Sequence, residues 1–505
     1  MNYLISKPIH ELVLRKKIVL SLNHLIALAF SMNLTLKSYI DWVESWKLNP
    51  QDVVNHYLTK AKEKNSEYFS FIRFHEDYIK NNLEEFAKKP LHGAPIGIKD
   101  IILTQWEISS CGSKLLEDYI SPYSATCFLN LEKNGWMMIG KTNMDEFAMW
   151  SSTESSYFGK TINPYGSHRV PWWSSWWSAV AVASDSCIAA LWTDTWWSIR
   201  QPAALCWIVG MKPTYWMVSR YWVQSMASSL DQVGVLTKTV EDAEILLKSI
   251  AWFDSQDSQS NPLADKFLKT NDYWLSTKLK VCLPKEVLAE WIDLKVKNKF
   301  LETIEILRWK WIKIDEISLP ILAYSLPMYY TIMPAEVSTN LARFDGIKFG
   351  FQENTIGHES IIKYYEKIRS EGFGDEAKRR ILLWTFVLSS AHYEWYYLKA
   401  QQARNKLKSD FDKLFASYDI ILMPTSPELA WKIWEKVDDP IKMYLSDMYT
   451  ISANMWWLPA MSLPIWNVSD HWEDLPVWMQ LMAQRWNENK IFQFAKFIEN
   501  AINKK

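Results

Sequence analysis

The sequence predicts an α/β protein whose strands are at least partly parallel. Two patterns carry this reading. Amphipathic helical segments are followed by short apolar runs, as where VKNKFLETIEILR (296–308) leads into IKIDEISLP (312–320). Buried-strand runs such as MMIGKT (137–142) and DIILMP (419–424) recur between helical stretches. Apolar period 3.6 alternating with short apolar runs is the pattern of helices laid over a sheet.

In chain order, residues 34–64 read as helical, with Asn49-Pro50 starting a second helix. PLHGAPIGIKDIIL (90–103) is a strand-like run punctuated by Pro and Gly, with Lys99 directly after Ile98. Such a lysine is either an edge residue whose stem snorkels, or a buried amine of lowered pKa able to act as a base. Residues 131–159 alternate helix, strand and loop, with a turn at Asn134-Gly135. QPAALCWIVGMKP (201–213) is a small-residue apolar segment, and Thr239 is placed to N-cap a helix running to Ile250. Residues 254–278 form a polar surface excursion. Val296, Phe300, Ile304 and Leu307 share one helix face, Asp375 to Lys406 reads as one long helix, and Ile491, Phe494, Ala495 and Ile498 give the last helix its core face.

Residues 1–32 (basic residues, then an apolar run) are read as an N-terminal extension preceding a start at Met32, and 33–505 as a single domain. The run is too short to span a bilayer, which points to a soluble, cytoplasmic protein without membrane contact. A net charge of -1 excludes a global basic surface for nucleic acid. Five cysteines without a CxxC pair suit a reducing compartment, and the nine histidines show no metal-ligand spacing, so no metal is expected.

The centre of the chain is VPWWSSWWSAVAVASDSCIAALWTDTWWSIR (170–200), where three Trp pairs stand beside serines. The small residues Ala179, Ala181 and Ala183 imply close backbone packing that such pairs oppose. The chain has 30 Trp and 14 Gly, whereas a Gly content of about 7% is usual, or roughly 35 here. Gly and Trp together come much nearer that value than Gly alone. Read with Gly at most Trp positions, the stretch becomes two glycine-rich turns, GGSSGG and GTDTGGSIR, flanking a small-residue helix. Such turns need the positive φ and close approach that Gly supplies. A gene in which UGA encodes glycine, translated as tryptophan, explains the substitution. Trp395 and Trp431, in aromatic and helical contexts, are read as genuine. A real Trp-rich binding protein without catalytic activity is the alternative.

A nucleophilic serine needs a base and donors for the oxyanion. Ser198, after Thr195-Trp196-Trp197, is the candidate nucleophile, and the backbone N–H groups of Thr195, Trp196 and Trp197 are the candidate oxyanion donors. His168 has no setting that marks it as a triad base, and no GxSxG elbow is present. GAPIGIKD, WWSSWW and TDTWWSIR together resemble the motifs of the amidase signature family of Ser-Ser-Lys hydrolases. The resemblance implies an α/β/α sandwich around a large mixed, twisted β-sheet. It also implies a catalytic set of Lys99, a cis-linked Ser174 and the nucleophile Ser198. Asp194 and Arg200 are read as structural, a pair or network that fixes the turn.

Four further segments resemble the branch of that family that supplies ammonia to tRNA-dependent amidotransferases. They are GKTNMDEFAMWSSTESSYFG, AEVSTNLARFDGIKFG, EGFGDEAKRRILLWTFVLSS and DDPIKMYLSDMYTISANMWWLPAMSLP. This implies glutamine as substrate, bound by Tyr330 (or Tyr329), Arg380 (or Arg379) and Asp447. An arginine suits the α-carboxylate and an aspartate the α-ammonium. It further implies no cofactor in this chain, with ATP and Mg used by the complex. The implied partners are a GatB-like protein that holds the tRNA and a GatC-like protein. A stand-alone amidase of the same family is the alternative.

Overall fold

The computed structural model describes residues 34–149, 155–165, 176–269, 279–289, 292–352, 360–389, 392–431, 447–470 and 472–502. Eleven strands form one sheet in the order β1-β3-β2-β4-β6-β5-β10-β11-β9-β7-β8. They are β1 (Phe71–Phe74), β2 (Ala94–Lys99), β3 (Trp136–Thr142), β4 (Ala189–Asp194), β5 (Val209–Lys212), β6 (Gln232–Thr237), β7 (Val281–Pro284), β8 (Ile314–Ile317), β9 (Ile420–Pro424), β10 (Ala460–Asp470) and β11 (Glu473–Ala483). β2 runs parallel to β3 and β4, and β7 parallel to β8 and β9; the remaining pairings are antiparallel. The fold is therefore α/β with a large mixed sheet. β2, β3, β4, β5, β6 and β9 are buried throughout, as expected of strands covered on both faces.

The helices are α1 (Leu36–Glu44), α2 (Pro50–Tyr68), α3 (Glu76–Phe86), α4 (Thr126–Asn134), α5 (Trp176–Ala183), α6 (Arg200–Leu205), α7 (Val240–Ile250), α8 (Ala264–Lys269), α9 (Leu294–Trp309), α10 (Ser325–Leu341), α11 (Ile361–Gly372), α12 (Asp375–Val387), α13 (Lys399–Phe415), α14 (Met448–Met455) and α15 (Glu488–Ile502). The helix starts foreseen at Asn49-Pro50 and Thr239 are both present. Asn49 caps α2 by accepting from Gln51 N, and Thr239 caps α7 by accepting from Asp242 N. The faces built from Val296, Phe300, Ile304 and Leu307 and from Ile491, Phe494, Ala495 and Ile498 are buried. All five cysteines are buried free thiols. Among the described residues no helix is long and apolar enough to cross a membrane.

One expectation is corrected. The segment from Asp375 to Lys406 is not one helix: α12 ends at Val387, and a single wide turn over Glu394–Leu398 precedes α13. Just beyond α12, Ser389 Oγ donates to Phe386 O at 2.7 Å and meets His392 Nδ1 at 3.0 Å. These local bonds offer the backbone an alternative to helix continuation.

Asp242 joins two helix starts. Its carboxylate accepts from Leu36 N and Lys37 N, both at 3.0 Å, at the start of α1. Removing the cap that fixes the first turn of α7 should therefore be felt in both helices. Thr239→Ala is expected to lower stability by about 1 kcal/mol, read as a lower denaturant midpoint with unchanged slope.

Candidate active site

β2 and β4 are parallel neighbours, with Ile98 opposite Leu191, so Lys99 and Asp194 end at the same edge of the sheet. Ligand sites of open α/β sheets lie outside the carboxyl ends of strands. Lys99 is fully buried. Its Nζ donates to Thr193 Oγ1 at 2.9 Å and sits 4.0 Å from the centre of the Trp192 ring. Burial pushes the amine down to about 7, against the pull of Asp231, Asp145, the Cys111 thiol and Asp194. Such a group is poised between acid and base near neutral pH.

After β4 the chain turns through residues 195–199 into α6. Asp194 holds this turn from below: it accepts from Ile199 N at 3.2 Å, Arg200 Nε at 3.2 Å and Asn454 Nδ2 at 2.7 Å. Arg200 returns a bond to Trp196 O at 2.9 Å. Thr195 Oγ1 donates to Asp231 Oδ1 at 2.7 Å. Gly210 lets β5 come directly under the turn, since a Cβ there would meet Ile199 O at 2.6 Å. Ser198 sits in this frame, 3% exposed.

A second cluster lies beside the turn. Tyr330 OH donates to Asp447 Oδ2 at 3.4 Å. Arg380 is buried and bonds Glu376 Oε1 at 2.7 Å, whereas the Arg379 side chain is mostly exposed on its own pair with Glu376. Tyr330 and Tyr329 both act electrostatically on Arg380, and Arg380, Asp447 and Asp231 on Tyr329. So Tyr329, Tyr330, Arg380 and Asp447 are gathered in one place. The Trp196 ring packs edge-on against Tyr329 at 4.6 Å between centroids, and the Trp197 ring lies at 6.3 Å. Two indoles thus occupy the ground between the turn and the Tyr329 side of the cluster. Ser174, its peptide bond and His168 lie outside the described residues.

Sequence reasoning missed Thr193, Asp145 and Asp231. Thr193 and Asp231 are buried polar residues in strands or strand ends, and nothing in their spacing marks them. Only the pairing of β4 with β6, which places Gln232 opposite Asp194, brings Asp231 to the turn.

Residues 52–492 match the Amidase family, and the chain belongs to that family. It is 40% identical over 478 residues to the A subunit of the glutamyl-tRNA(Gln) amidotransferase of Halothermothrix orenii, covering 94% of this chain and 98% of that protein. The corresponding protein of Syntrophus aciditrophicus is 46% identical over 414 residues, covering 81% and 83%. The crystal structure of the A subunit of the glutamyl-tRNA(Gln) amidotransferase from Thermotoga maritima superposes with a TM-score of 0.73 at 35% identity, covering 91% of this chain and 93% of that one. The fold extends to 6-aminohexanoate cyclic dimer hydrolase, with a TM-score of 0.80 at 19% identity.

The low proton affinity of Lys99 has a stability consequence. Between about 7 and the unfolded value of roughly 10.4, the unfolded chain binds this proton and the folded chain does not. Stability from this group therefore rises with pH across that window. Lys99→Met should remove up to about 1.4 kcal/mol per pH unit of that rise, seen by comparing denaturant midpoints of parent and variant at pH 7 and 9.

Proposed function

We propose that the chain is the glutamine-hydrolysing component of a glutamyl-tRNA(Gln) amidotransferase, releasing ammonia for a partner subunit that holds the acceptor tRNA. The observation that carries the chemistry is Lys99, a buried amine titrating near 7 and bonded to the strand that leads into the Ser198 turn. Relatives at 40% and 46% identity over most of the chain support the substrate and the complex.

In this reading neutral Lys99 takes a proton through Ser174 as Ser198 Oγ attacks the carboxamide carbon of glutamine. The developing oxyanion receives the backbone N–H groups of residues 195–198. The proton then passes to the leaving nitrogen, the C–N bond breaks and ammonia departs. Water hydrolyses the acyl-enzyme to glutamate by the same relay. Arg380 takes the α-carboxylate, and Asp447 with Tyr330 the α-ammonium. ATP and Mg serve the partner's half-reaction, and this chain needs no cofactor of its own. A GatB-like partner holds the tRNA, and a GatC-like partner completes the complex.

Ser198→Ala should lower glutamine hydrolysis at least about 10³-fold, measured as ammonia release by the assembled complex. Parent activity that is full without partners, on simple amides rather than glutamine, would instead identify a stand-alone amidase.

The backbone bears on the Trp positions as well. Of the described non-glycine residues with positive φ, eight are Trp: 46, 106, 207, 222, 311, 457, 472 and 486. Bulky residues rarely adopt that region. Trp46, Trp207, Trp311 and Trp457 each follow a helix C-cap, and the next residue's N–H returns to the helix, as Lys47 N to Trp42 O, Ile208 N to Ala203 O, Ile312 N to Leu307 O and Leu458 N to Ala453 O. That is the Schellman ending, whose left-handed position is usually Gly. Trp472 closes the two-residue link between β10 and β11 at φ 74, again a glycine place. Inside, the indole N–H groups of Trp177, Trp196 and Trp478 are buried with no hydrogen-bond partner among the described residues, at a cost of about 1–3 kcal/mol each. Glycine at these positions relieves all of these and clears the ground beside Ser198. Peptide masses of the protein purified from its own source should show glycine at positions 196, 197, 207 and 457. Tryptophan masses there would leave the Ser198 turn blocked and overturn the mechanism.

A further inference from the structure

Asp231 is a buried carboxylate that the reaction as written above does not use. It stands immediately before β6, opposite the end of β4, and both of its oxygens are engaged by uncharged donors. Oδ1 accepts from Thr195 Oγ1 at 2.7 Å; Oδ2 accepts from Met226 N at 2.8 Å and Ala227 N at 3.0 Å. This loop is itself braced from α10, where Asn340 Nδ2 donates to Met226 O at 3.0 Å.

Several groups face Lys99: Asp231, Asp145, the Cys111 thiol and Asp194 act on its charge, and Thr193 and the Trp192 ring touch its amine. The acids are not equivalent. Asp194 is taken up by Arg200 and Asn454, and Asp145 accepts from Ser155 N and Oγ. Asp231 exerts the largest pull of the four. Around Asp231 itself stand Arg220, which donates to its backbone oxygen at 3.4 Å, and the phenols of Tyr215 and Tyr329.

We infer that Asp231 is a positioning residue for the reaction: its carboxylate fixes the Thr195 end of the nucleophile turn and is the counter-charge for Lys99 while that amine carries the relay proton. The inference rests on the Lys99–Ser198 reading above. When Ser198 Oγ attacks, its proton arrives on Lys99 Nζ and a cation appears on a fully buried side chain. A buried cation without a partner is strongly disfavoured. Asp231 supplies the opposite charge without contacting the amine, so the proton is held long enough to form the intermediate and is still free to leave for the amide nitrogen. Asp231 keeps its own charge throughout. Burial raises its carboxyl to about 6, with the Thr195, Met226 and Ala227 donors pulling it back, so it is ionised at neutral pH.

The test is the pH profile of kcat/KM for glutamine hydrolysis by the assembled complex. The acid limb reports the coupled titration of Lys99, at about 7, with Asp231, at about 6, and only the Lys99 step remains in a neutral variant. Asp231→Asn keeps the shape and an acceptor for Met226 N and Ala227 N but removes the charge. The limb should move to lower pH by about one unit, and kcat on the plateau should fall about tenfold, with KM little changed. Asp231→Glu, which keeps the charge, should retain the parent midpoint. Thr195→Val, which removes only the hydroxyl anchor, should lower kcat without moving the limb. Asp231→Ser is a second neutral variant and must shift the limb as Asn does, should Asn not yield folded protein. A neutral variant that is folded yet keeps the parent midpoint overturns the inference. If the parent hydrolyses a simple amide but not glutamine, the substrate reading fails while the same limb, read on that amide, still decides the role of Asp231.

Discussion

The active-site architecture depends on one buried ion pair, Asp194 with Arg200. Both side chains are fully buried, with Nε 3.2 Å from Oδ2. The pair closes the turn after β4 on itself. It also reaches outward, because Arg200 donates to Thr450 O at 2.9 Å, to Gln480 Oε1 at 2.6 Å and to Asn454 Oδ1. Gln480 belongs to β11, and Thr450 and Asn454 to α14. One guanidinium therefore ties together the Ser198 turn, strand β11 of the sheet and the helix whose N-terminal boundary is Asp447. Removing one partner of a hydrogen-bonded buried pair costs about 3–5 kcal/mol. Here the larger loss is registry, since the Ser198 turn and Asp447 are placed by the same fork.

Three buried lysines, Lys99, Lys141 and Lys212, are held by different contacts; Lys212 donates to Pro213 O at 2.9 Å, and burial lowers it to about 7. Lys141 lies on β3 and bonds Ile102 O, with Asp100 its leading acidic neighbour; burial lowers it to about 8. It points its proton at a fixed backbone oxygen beneath the loop that follows β2. Lys99 meets a threonine hydroxyl, which can both accept and donate. Its acidic neighbours are spread around it rather than bonded to it. Among the described residues no carboxylate is bonded to Lys99, so loss of its proton breaks no ion pair there.

Much of this was legible in the sequence because it is local. Helix starts at Asn49-Pro50 and Thr239, the one-sided faces of α9 and α15, and the buried strands read at 137–142 and 419–424 follow from periodicity and capping. The pairing of Asp194 with Arg200 could be read because the two lie six residues apart on one turn. The choice of Arg380 over Arg379 could not, since both flank the same Glu376 and only the packing of α12 on α10 decides which is buried. The break before α13 was hidden for a similar reason: the sequence there keeps a helical pattern, and the bonds that end the helix are made by Ser389 and His392. Asp231 was beyond reach altogether, because its meaning comes from a strand pairing between segments almost forty residues apart in the chain.

The tryptophans show how backbone and side chain can give separate testimony. A left-handed residue at a helix end is set by the ring of hydrogen bonds around it and not by the side chain it carries. The four helix ends at 46, 207, 311 and 457 keep those bonds intact with tryptophan in place. Gly135 obeys the same rule: it ends α4 at φ 89, where a Cβ would meet Phe86 O at 3.0 Å. Where the backbone has left space, as at Trp46, Trp311 and Trp472, the indole stands in solvent and gains no burial. Where it has not, at Trp196 and Trp197, the rings pack edge-on against each other at 4.0 Å, and Trp196 against Tyr329 at 4.6 Å, between centroids. Rings also gather, with Trp216 5.0 Å from Trp457 and 6.5 Å from Trp486 between centroids, and the latter two stand at left-handed positions. At the eight left-handed positions the backbone takes the region that glycine adopts without strain.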